Sequence, residues 1–161
     1  MRRLLLPLML LVSIAAFAQS SAEKSFDQLK SLAGSWEATL DGETMHISLR
    51  VTSTGNALMH EMKGKGPDDP ITMFNLDGDR LMLTHYCDAG NQPRMVATVS
   101  PDGKTIVFDF KEATNLQSVQ GGHMQRVTFT FIDPDHHTEK WEFAMVDGKM
   151  MGGLLDLKRA K

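Results

Sequence analysis

After residue 34, apolar and polar side chains alternate along most of the chain, a pattern typical of β-strands with one buried face. In residues 45–51, 105–110 and 126–131, for example, every second side chain is apolar. Residues that favour tight turns separate these segments at nearly every boundary. The segments between the turns predict ten strands, near residues 35–40, 45–53, 57–64, 71–76, 80–87, 94–100, 104–110, 123–132, 137–146 and 149–158.

The short connections between consecutive strands predict an antiparallel meander, in which each strand pairs with the next one along the chain. Ten such strands around one core are most simply arranged as an all-β, up-and-down barrel, because closure leaves no strand edge exposed. A two-sheet sandwich is the alternative. A barrel of this size has an interior that holds either packed side chains or one small ligand.

A short N-terminal helix is predicted before the first strand, over Glu23–Ala33, because the apolar spacing there is that of a helix. Phe26, Leu29 and Leu32 form one apolar stripe along this segment. A second region without alternation, residues 112–122, is predicted to be a loop.

The first 18 residues have the three parts of a secretory signal peptide. Arg2 and Arg3 supply the positive charge, Leu4–Phe17 the apolar segment, and Ala16–Ala18 a small-x-small cleavage site. The apolar run is shorter than the roughly 20 residues needed to span a bilayer, so cleavage is expected instead of a membrane span. Residues 19–161 then form a single domain that is periplasmic or secreted.

Charge and cysteine content narrow the classes of function. Loss of Arg2 and Arg3 with the signal segment changes the formal charge from −3 to −5, and no basic run offers a footprint for nucleic acid or anionic lipid. The single cysteine, Cys87, cannot form an internal disulfide, so the exported domain depends on its core for stability. Ten of the 12 methionines remain once Met1 and Met9 leave, and such flexible side chains fill cores or line apolar pockets.

Chemically reactive side chains are concentrated around one predicted turn, in residues 84–95. His85, Tyr86 and Cys87 end one strand, and Arg94 opens the next. A hairpin needs only its turn residues, so this concentration indicates a binding site. Alternation places His85 and Cys87 on the apolar face of their strand, which is expected to point inward.

His60 and His123 lie on the apolar faces of two other predicted strands and are also expected to point inward. Together with His85 and Arg94 near the turn, they would form a polar cluster in an apolar, methionine-lined interior. Ligand pockets commonly combine such a lining with a few convergent polar groups. By contrast, His136 and His137 follow Asp135 in a predicted turn and are expected to be solvated. The residues predicted to bind a small apolar or amphipathic molecule are His60, His85, Tyr86, Cys87, Arg94 and His123.

Two alternative functions use the same residues. His85 and Cys87 share one strand face, and a set of His, Cys and Met donors suits copper, whereas zinc would require further ligands such as His60 or His123. The other alternative is an enzyme with Cys87 as nucleophile and His85 as base. No dense metal-ligand motif, phosphate-binding loop or nucleophile-elbow motif occurs in the sequence. The binding function is therefore preferred, and no cofactor is expected.

The tripeptide Gly34-Ser35-Trp36 resembles the G-x-W motif of the calycins, which include lipocalins, fatty-acid-binding proteins and nitrobindin-like barrels. The resemblance implies a barrel in which Trp36 packs across the closed end. Residues 84–87 and 91–95, read as T-H-Y-C and N-Q-P-R-M, also resemble segments of uncharacterised exported bacterial proteins with this layout. That second resemblance brings no known activity.

The chain departs from the calycin pattern in three respects. The nitrobindin-like motif continues as G-x-W-x-G-x-G, whereas Glu37-Ala38-Thr39 follow the tryptophan here. Those barrels hold haem through a histidine near the C-terminus, and the last predicted strand, Lys149–Lys158, contains none. Haem binding is therefore not expected. Extracellular lipocalins usually carry disulfides, which this chain cannot form.

Overall fold

The structure is a computed structural model that describes residues 19–40, 42–67, 69–116 and 122–161. The proposed signal peptide and residues 117–121 of the predicted loop lie outside these ranges. The described elements are the helix α1 (Ser21–Lys30), a 3-10 turn (Ser53–Gly55) and the strands β1 (Gly34–Leu40), β2 (Glu43–Thr52), β3 (Ala57–Lys63), β4 (Ile71–Asp77), β5 (Arg80–Tyr86), β6 (Gln92–Val99), β7 (Thr105–Thr114), β8 (His123–Asp133), β9 (His136–Ala144) and β10 (Met150–Arg159).

The ten described strands form one closed antiparallel barrel. Each strand pairs with the next along the chain, and β10 pairs back with β1 through Trp36 opposite Arg159 and Glu37 opposite Lys158. The predicted all-β up-and-down barrel with a short N-terminal helix is confirmed. The sandwich alternative is excluded because the strand order is a single ring.

The helix α1 forms because its end is capped and one of its faces is apolar. The hydroxyl of Ser20 accepts a hydrogen bond from the backbone of Glu23, and the Glu23 carboxylate accepts one from the backbone of Ser20, which is a capping box. Phe26 and Leu29 belong to the apolar face of the helix and are buried. The helix packs against β2, β4 and β5, so it covers one end of the barrel.

Trp36 lies at the end of the barrel that the helix covers. Its side chain is fully buried, and its indole Nε1 donates a hydrogen bond to the Leu32 carbonyl at 2.7 Å. The Arg159 guanidinium lies 4.2 Å from the centre of the indole ring, a cation–π contact. The same guanidinium donates to the Ala33 carbonyl, so it ties the last strand to the segment that follows α1.

The core next to this closed end is packed with aromatic rings. Phe74, Phe108 and Phe129 are fully buried, and their ring centres lie 5.4–6.2 Å apart in edge-on arrangements. Such arrangements bring the positive edge of one ring against the negative face of another. The interior at this level is therefore filled by side chains.

Two boundaries differ from the sequence prediction by three or more residues. The helix ends at Lys30, not at residue 33, because Leu32 and Ala33 make tighter hydrogen bonds to carbonyls three residues back. The strand β7 continues to Thr114, although a loop was predicted from residue 112. The end of β7 pairs with the start of β6, where Gln92 lies opposite Thr114, and this ladder supports a strand without apolar alternation.

Because successive strands run in opposite directions, odd-numbered strands end at the same rim where even-numbered strands begin. This rim lies opposite α1 and is called the mouth below. It includes the end of β5, the starts of β4 and β8, and the connection from β9 to β10. The predicted reactive segment after β5 is therefore at the mouth.

Gly152 lies where β10 passes close to β9. A Cβ at this position would overlap the backbone carbonyl oxygen of Trp141, which cannot move aside as a flexible side chain can. We expect Gly152→Ala to lower the free energy of unfolding by about 1–3 kcal/mol in urea denaturation. Gly153→Ala is the matched control, because its Cβ would lie 3.6 Å from the side chain of Leu40, an ordinary contact. Equal losses in the two variants would contradict the prediction.

Candidate functional site

An apolar cleft of about 320 Å³ opens at the mouth of the barrel. Three methionines, Met62, Met124 and Met151, and two aromatic residues, Trp141 and Phe143, form much of its wall. These residues come from β3, β8, β9 and β10, so the cleft lies across the mouth and not between two neighbouring strands. Its surface is suited to an apolar molecule.

The reactive segment identified in the sequence forms one side of the cleft. His85 near the end of β5 and Cys87 just after it line the cleft, together with Asp88 and Ala89 from the following turn. The Nδ1 atom of His85 lies 2.8 Å from the Thr72 hydroxyl oxygen on β4. The inward orientation predicted for His85 and Cys87 therefore agrees with the structure. Asp88 is the one formally charged residue among the described residues that line the cleft.

The environment of His85 keeps its imidazole uncharged. Burial lowers the pKa of His85 to about 4, and positive charge on nearby His60 acts in the same direction. A neutral imidazole makes one hydrogen bond as a donor and one as an acceptor. Because Nδ1 is hydrogen-bonded to the Thr72 hydroxyl, Nε2 is the ring nitrogen that remains for a further hydrogen bond.

A carboxylate lies inside the barrel behind the cleft. Glu139 on β9 is fully buried, and its Oε2 accepts hydrogen bonds from His60 Nε2 and Trp141 Nε1, both at 3.0 Å. Its Oε1 accepts a third, from His137 Nε2, also at 3.0 Å. These four residues are called the Glu139 cluster below. Trp141 belongs both to this cluster and to the wall of the cleft, so it connects the two.

Glu139 stays ionised although it is buried. Burial alone raises the pKa of a carboxyl group, because the charged form loses its hydration. The charge of His60 and the hydrogen bonds from His137 and His60 outweigh burial, and the pKa of Glu139 falls to about 2. A buried carboxylate needs such partners, because an uncompensated charge in the interior is strongly destabilising.

His137 lies in the core, and the expectation that it would be solvated is wrong. Its side chain is fully buried, and its ring packs edge-on against Trp36 with the centres 4.3 Å apart. Its Nδ1 has no hydrogen-bond partner among the described residues. His136 is half-buried, and its Nε2 lies 2.6 Å from an Asp156 carboxylate oxygen. The prediction failed because β9 begins at His136, so alternation points His137 inward.

Arg94 and Tyr86 lie on the outer face of the barrel, which corrects the inward position expected for Arg94. The Arg94 guanidinium Nη1 lies 2.9 Å from Glu112 Oε1, an exposed ion pair between β6 and β7. Tyr86 is 51% exposed. Strand alternation explains both positions, because Met95 and His85 occupy the adjacent inward positions and are buried.

His123 is buried but does not line the cleft. A β-bulge follows Met124 on β8, and the extra residue shifts the alternation of side chains by one. Met124 therefore lines the cleft, and His123 packs against Phe110 with ring centres 4.3 Å apart. Its Nε2 lies 3.0 Å from Gln125 Oε1. The polar cluster predicted from the sequence is not formed as a unit.

The sequence analysis did not identify Glu139. On β9 the alternation that points Trp141 and Phe143 inward also points Glu139 inward, two residues earlier. A charged residue on an otherwise apolar strand face was the available signal. It indicates either a buried ion pair or a functional group, because such residues are almost never fully buried without a partner.

The metal alternative has no complete set of donors. Among the described residues, no group of three or more His, Cys, Asp or Glu side chains could hold a metal ion. The further zinc ligands named above are engaged elsewhere, His60 with Glu139 and His123 with Gln125. Both residues of the enzyme alternative, His85 and Cys87, line the cleft, and that alternative stays a prediction.

The fold is similar to that of a solved structure from M. tuberculosis, Rv2717c. The two share 12% sequence identity with a TM-score of 0.57, over 85% of this chain and 98% of that chain. The likeness is one of fold. No family model matches the sequence, and no curated protein matches it either. Within the described residues, no helix has both the length and the apolar character required to cross a membrane.

Proposed function

We propose that the protein is an exported binding protein that holds a small, uncharged, largely apolar molecule in the cleft at the mouth of the barrel. The cleft itself carries the proposal, because its volume of about 320 Å³ and its wall of methionines and aromatic rings suit such a ligand. Pockets for small molecules are mostly apolar and measure roughly 300–1,000 Å³. Affinity would come from burial of apolar surface, at roughly 25 cal/mol per Å².

The polar groups around the cleft support an uncharged ligand. His85 is neutral at pH 7, so it does not attract a carboxylate as a protonated histidine would. Arg94 pairs with Glu112 on the outer face and is not available to an acidic ligand inside. A carbonyl, hydroxyl or amide group that hydrogen bonds to His85 Nε2 would fix the orientation of the ligand.

Export and family membership are part of this proposal. The signal-peptide pattern of residues 1–18 supports a periplasmic or secreted location. Membership of the calycins is supported by Gly34-Ser35-Trp36, by the burial of Trp36 at the closed end and by the closed ring of ten strands. In this interpretation the helix-covered end stabilises the barrel and the open end binds the ligand.

Filling the cleft with a large side chain tests the proposal. Ala89 lies in an exposed turn and lines the cleft, so Ala89→Trp adds bulk there without disturbing the core. We expect the variant to bind N-phenyl-1-naphthylamine, an uncharged fluorescent probe, about tenfold more weakly than the wild type, a loss of about 1.4 kcal/mol. Ala33→Trp is the matched control, because Ala33 is exposed at the closed end. The proposal fails if the wild type does not bind the probe, or if both variants weaken binding equally.

A further inference from the structure

Exposed apolar side chains are concentrated on the hairpin between β9 and β10, beside the cleft. Among the described residues, eight large apolar side chains are exposed, and five of them belong to this hairpin and the strand after it. Val146 has the highest exposure of the eight, 74%. Met145, Val146, Met150 and Met151 are called the hairpin surface below. Apolar clusters of this kind mark sites that contact another protein or a membrane.

The tip of the hairpin carries no net charge. The Lys149 ammonium lies 2.8 Å from an Asp147 carboxylate oxygen, so the two charges balance each other. If the tip docked on a protein or on an anionic surface through charge attraction, it would carry an unbalanced charge of the opposite sign. An apolar tip with a balanced ion pair instead fits the interface of a zwitterionic bilayer.

The hairpin surface is continuous with the cleft. Met151 is 60% exposed and also lines the cleft. Met145 and Val146 line an adjoining groove, which shares Ala89 and Phe143 with the cleft. Apolar surface therefore extends from the hairpin tip into the binding site.

We propose that the hairpin surface docks on a zwitterionic lipid bilayer, with Val146 and Met150 at the interface, so that the cleft exchanges its ligand directly with the membrane. An apolar molecule partitions into a bilayer in preference to water. A cleft that opens onto the docked surface accepts the molecule without exposing it to water. The exchange rests on the proposed function, whereas the docking rests on the hairpin surface alone.

Vesicle co-sedimentation tests the docking. The experiment uses residues 19–161, which contain α1 and all ten described strands, so that the apolar N-terminal segment does not contribute to binding. We expect this protein to sediment with phosphatidylcholine vesicles, and the double variant Val146→Asp/Met150→Asp to show a bound-to-free ratio at least about tenfold lower. Ile132→Asp is the matched control, because Ile132 is 51% exposed, Met150 is 52% exposed, and Ile132 lies near the closed end.

Three results would overturn the docking proposal. The first is that the unaltered protein does not sediment with the vesicles. The second is that Ile132→Asp loses as much binding as the double variant. The third is that the unaltered protein self-associates in sedimentation velocity without vesicles and the double variant does not, which would assign the hairpin surface to contact with a second copy of the chain.

A separate measurement distinguishes failure of the docking from failure of the proposed function. Neither Val146 nor Met150 lines the cleft, so the double variant is expected to bind N-phenyl-1-naphthylamine in solution as well as the unaltered protein. Loss of vesicle binding with retained probe binding in the double variant supports the docking. Vesicle binding by a protein that does not bind the probe would contradict the proposed function and leave the docking supported.

Discussion

Replacing Glu139 by Ala will lower the free energy of unfolding by about 3–5 kcal/mol, the range found when one partner of a buried ion pair is removed. The substitution leaves the N–H groups of His60, His137 and Trp141 without their common acceptor. It also leaves any positive charge on the cluster without a counter-charge in the interior. Urea denaturation at pH 7 measures the loss.

Two further variants define what the Glu139 carboxylate contributes. Glu112→Ala is the surface control, because Glu112 is exposed and pairs with Arg94, and exposed pairs contribute about 1 kcal/mol or less. Glu139→Gln keeps one acceptor oxygen but not the charge, so an intermediate loss is expected. If Glu139→Ala costs no more than Glu112→Ala, the cluster does not hold the interior together as described.

Lowering the pH from 7 to 4 will remove about 3 kcal/mol of stability through His85. The pKa of this imidazole is about 4 in the folded protein, against an ordinary value of 6.5. Between these values the unfolded chain binds a proton that the folded protein does not, so acid favours unfolding. The contribution is fully present above about pH 6.5, and a gap of about 2.5 in pKa corresponds to about 3 kcal/mol.

The effect of His85 can be isolated by comparing the pH dependence of unfolding in variants. His85→Asn removes the titrating group, and its unfolding free energy should fall less steeply between pH 7 and pH 4 than that of the wild type. His46→Asn is the control for the replacement of a histidine by asparagine, because His46 lies on the outer surface. The lowered pKa of Glu139 also makes the protein less stable in acid, but over a lower pH range, between about pH 4.5 and 2. Identical slopes in His85→Asn and wild type would contradict the prediction.

The fold could be predicted because its determinants are local. Strand alternation and turn residues repeat along the chain, and a meander with short connections has few arrangements other than a closed barrel. Within the strands, the larger departures occur where pairing is not local. The bulge after Met124 depends on the register between β8 and β9, and the extension of β7 to Thr114 depends on its ladder with β6. Neither feature has a signal within its own segment.

The site was predictable in part for the same reason. His85 and Cys87 could be assigned to the inner face from the alternation of their own strand. Arg94 was expected to point into the barrel because it follows the turn closely. The alternation of side chains along β6 points Met95 inward instead. The buried Glu139 carboxylate is stabilised by hydrogen bonds to residues on β3 and β9, and its partner His60 is 79 positions away in the chain. No local pattern reveals such a partnership.

Trp141 makes its part of the cleft wall stiffer than the parts beside it. Its indole ring lines the cleft, while its N–H donates a hydrogen bond to the ionised carboxylate of Glu139 within the barrel. Any tilt of the ring would weaken the solvation of that charge, so this part of the wall keeps one shape. The methionine side chains around it rotate at little cost. Under the proposed function, discrimination among ligands is therefore expected to be strict for the portion that reaches the indole and tolerant for the portion that lies against the methionines.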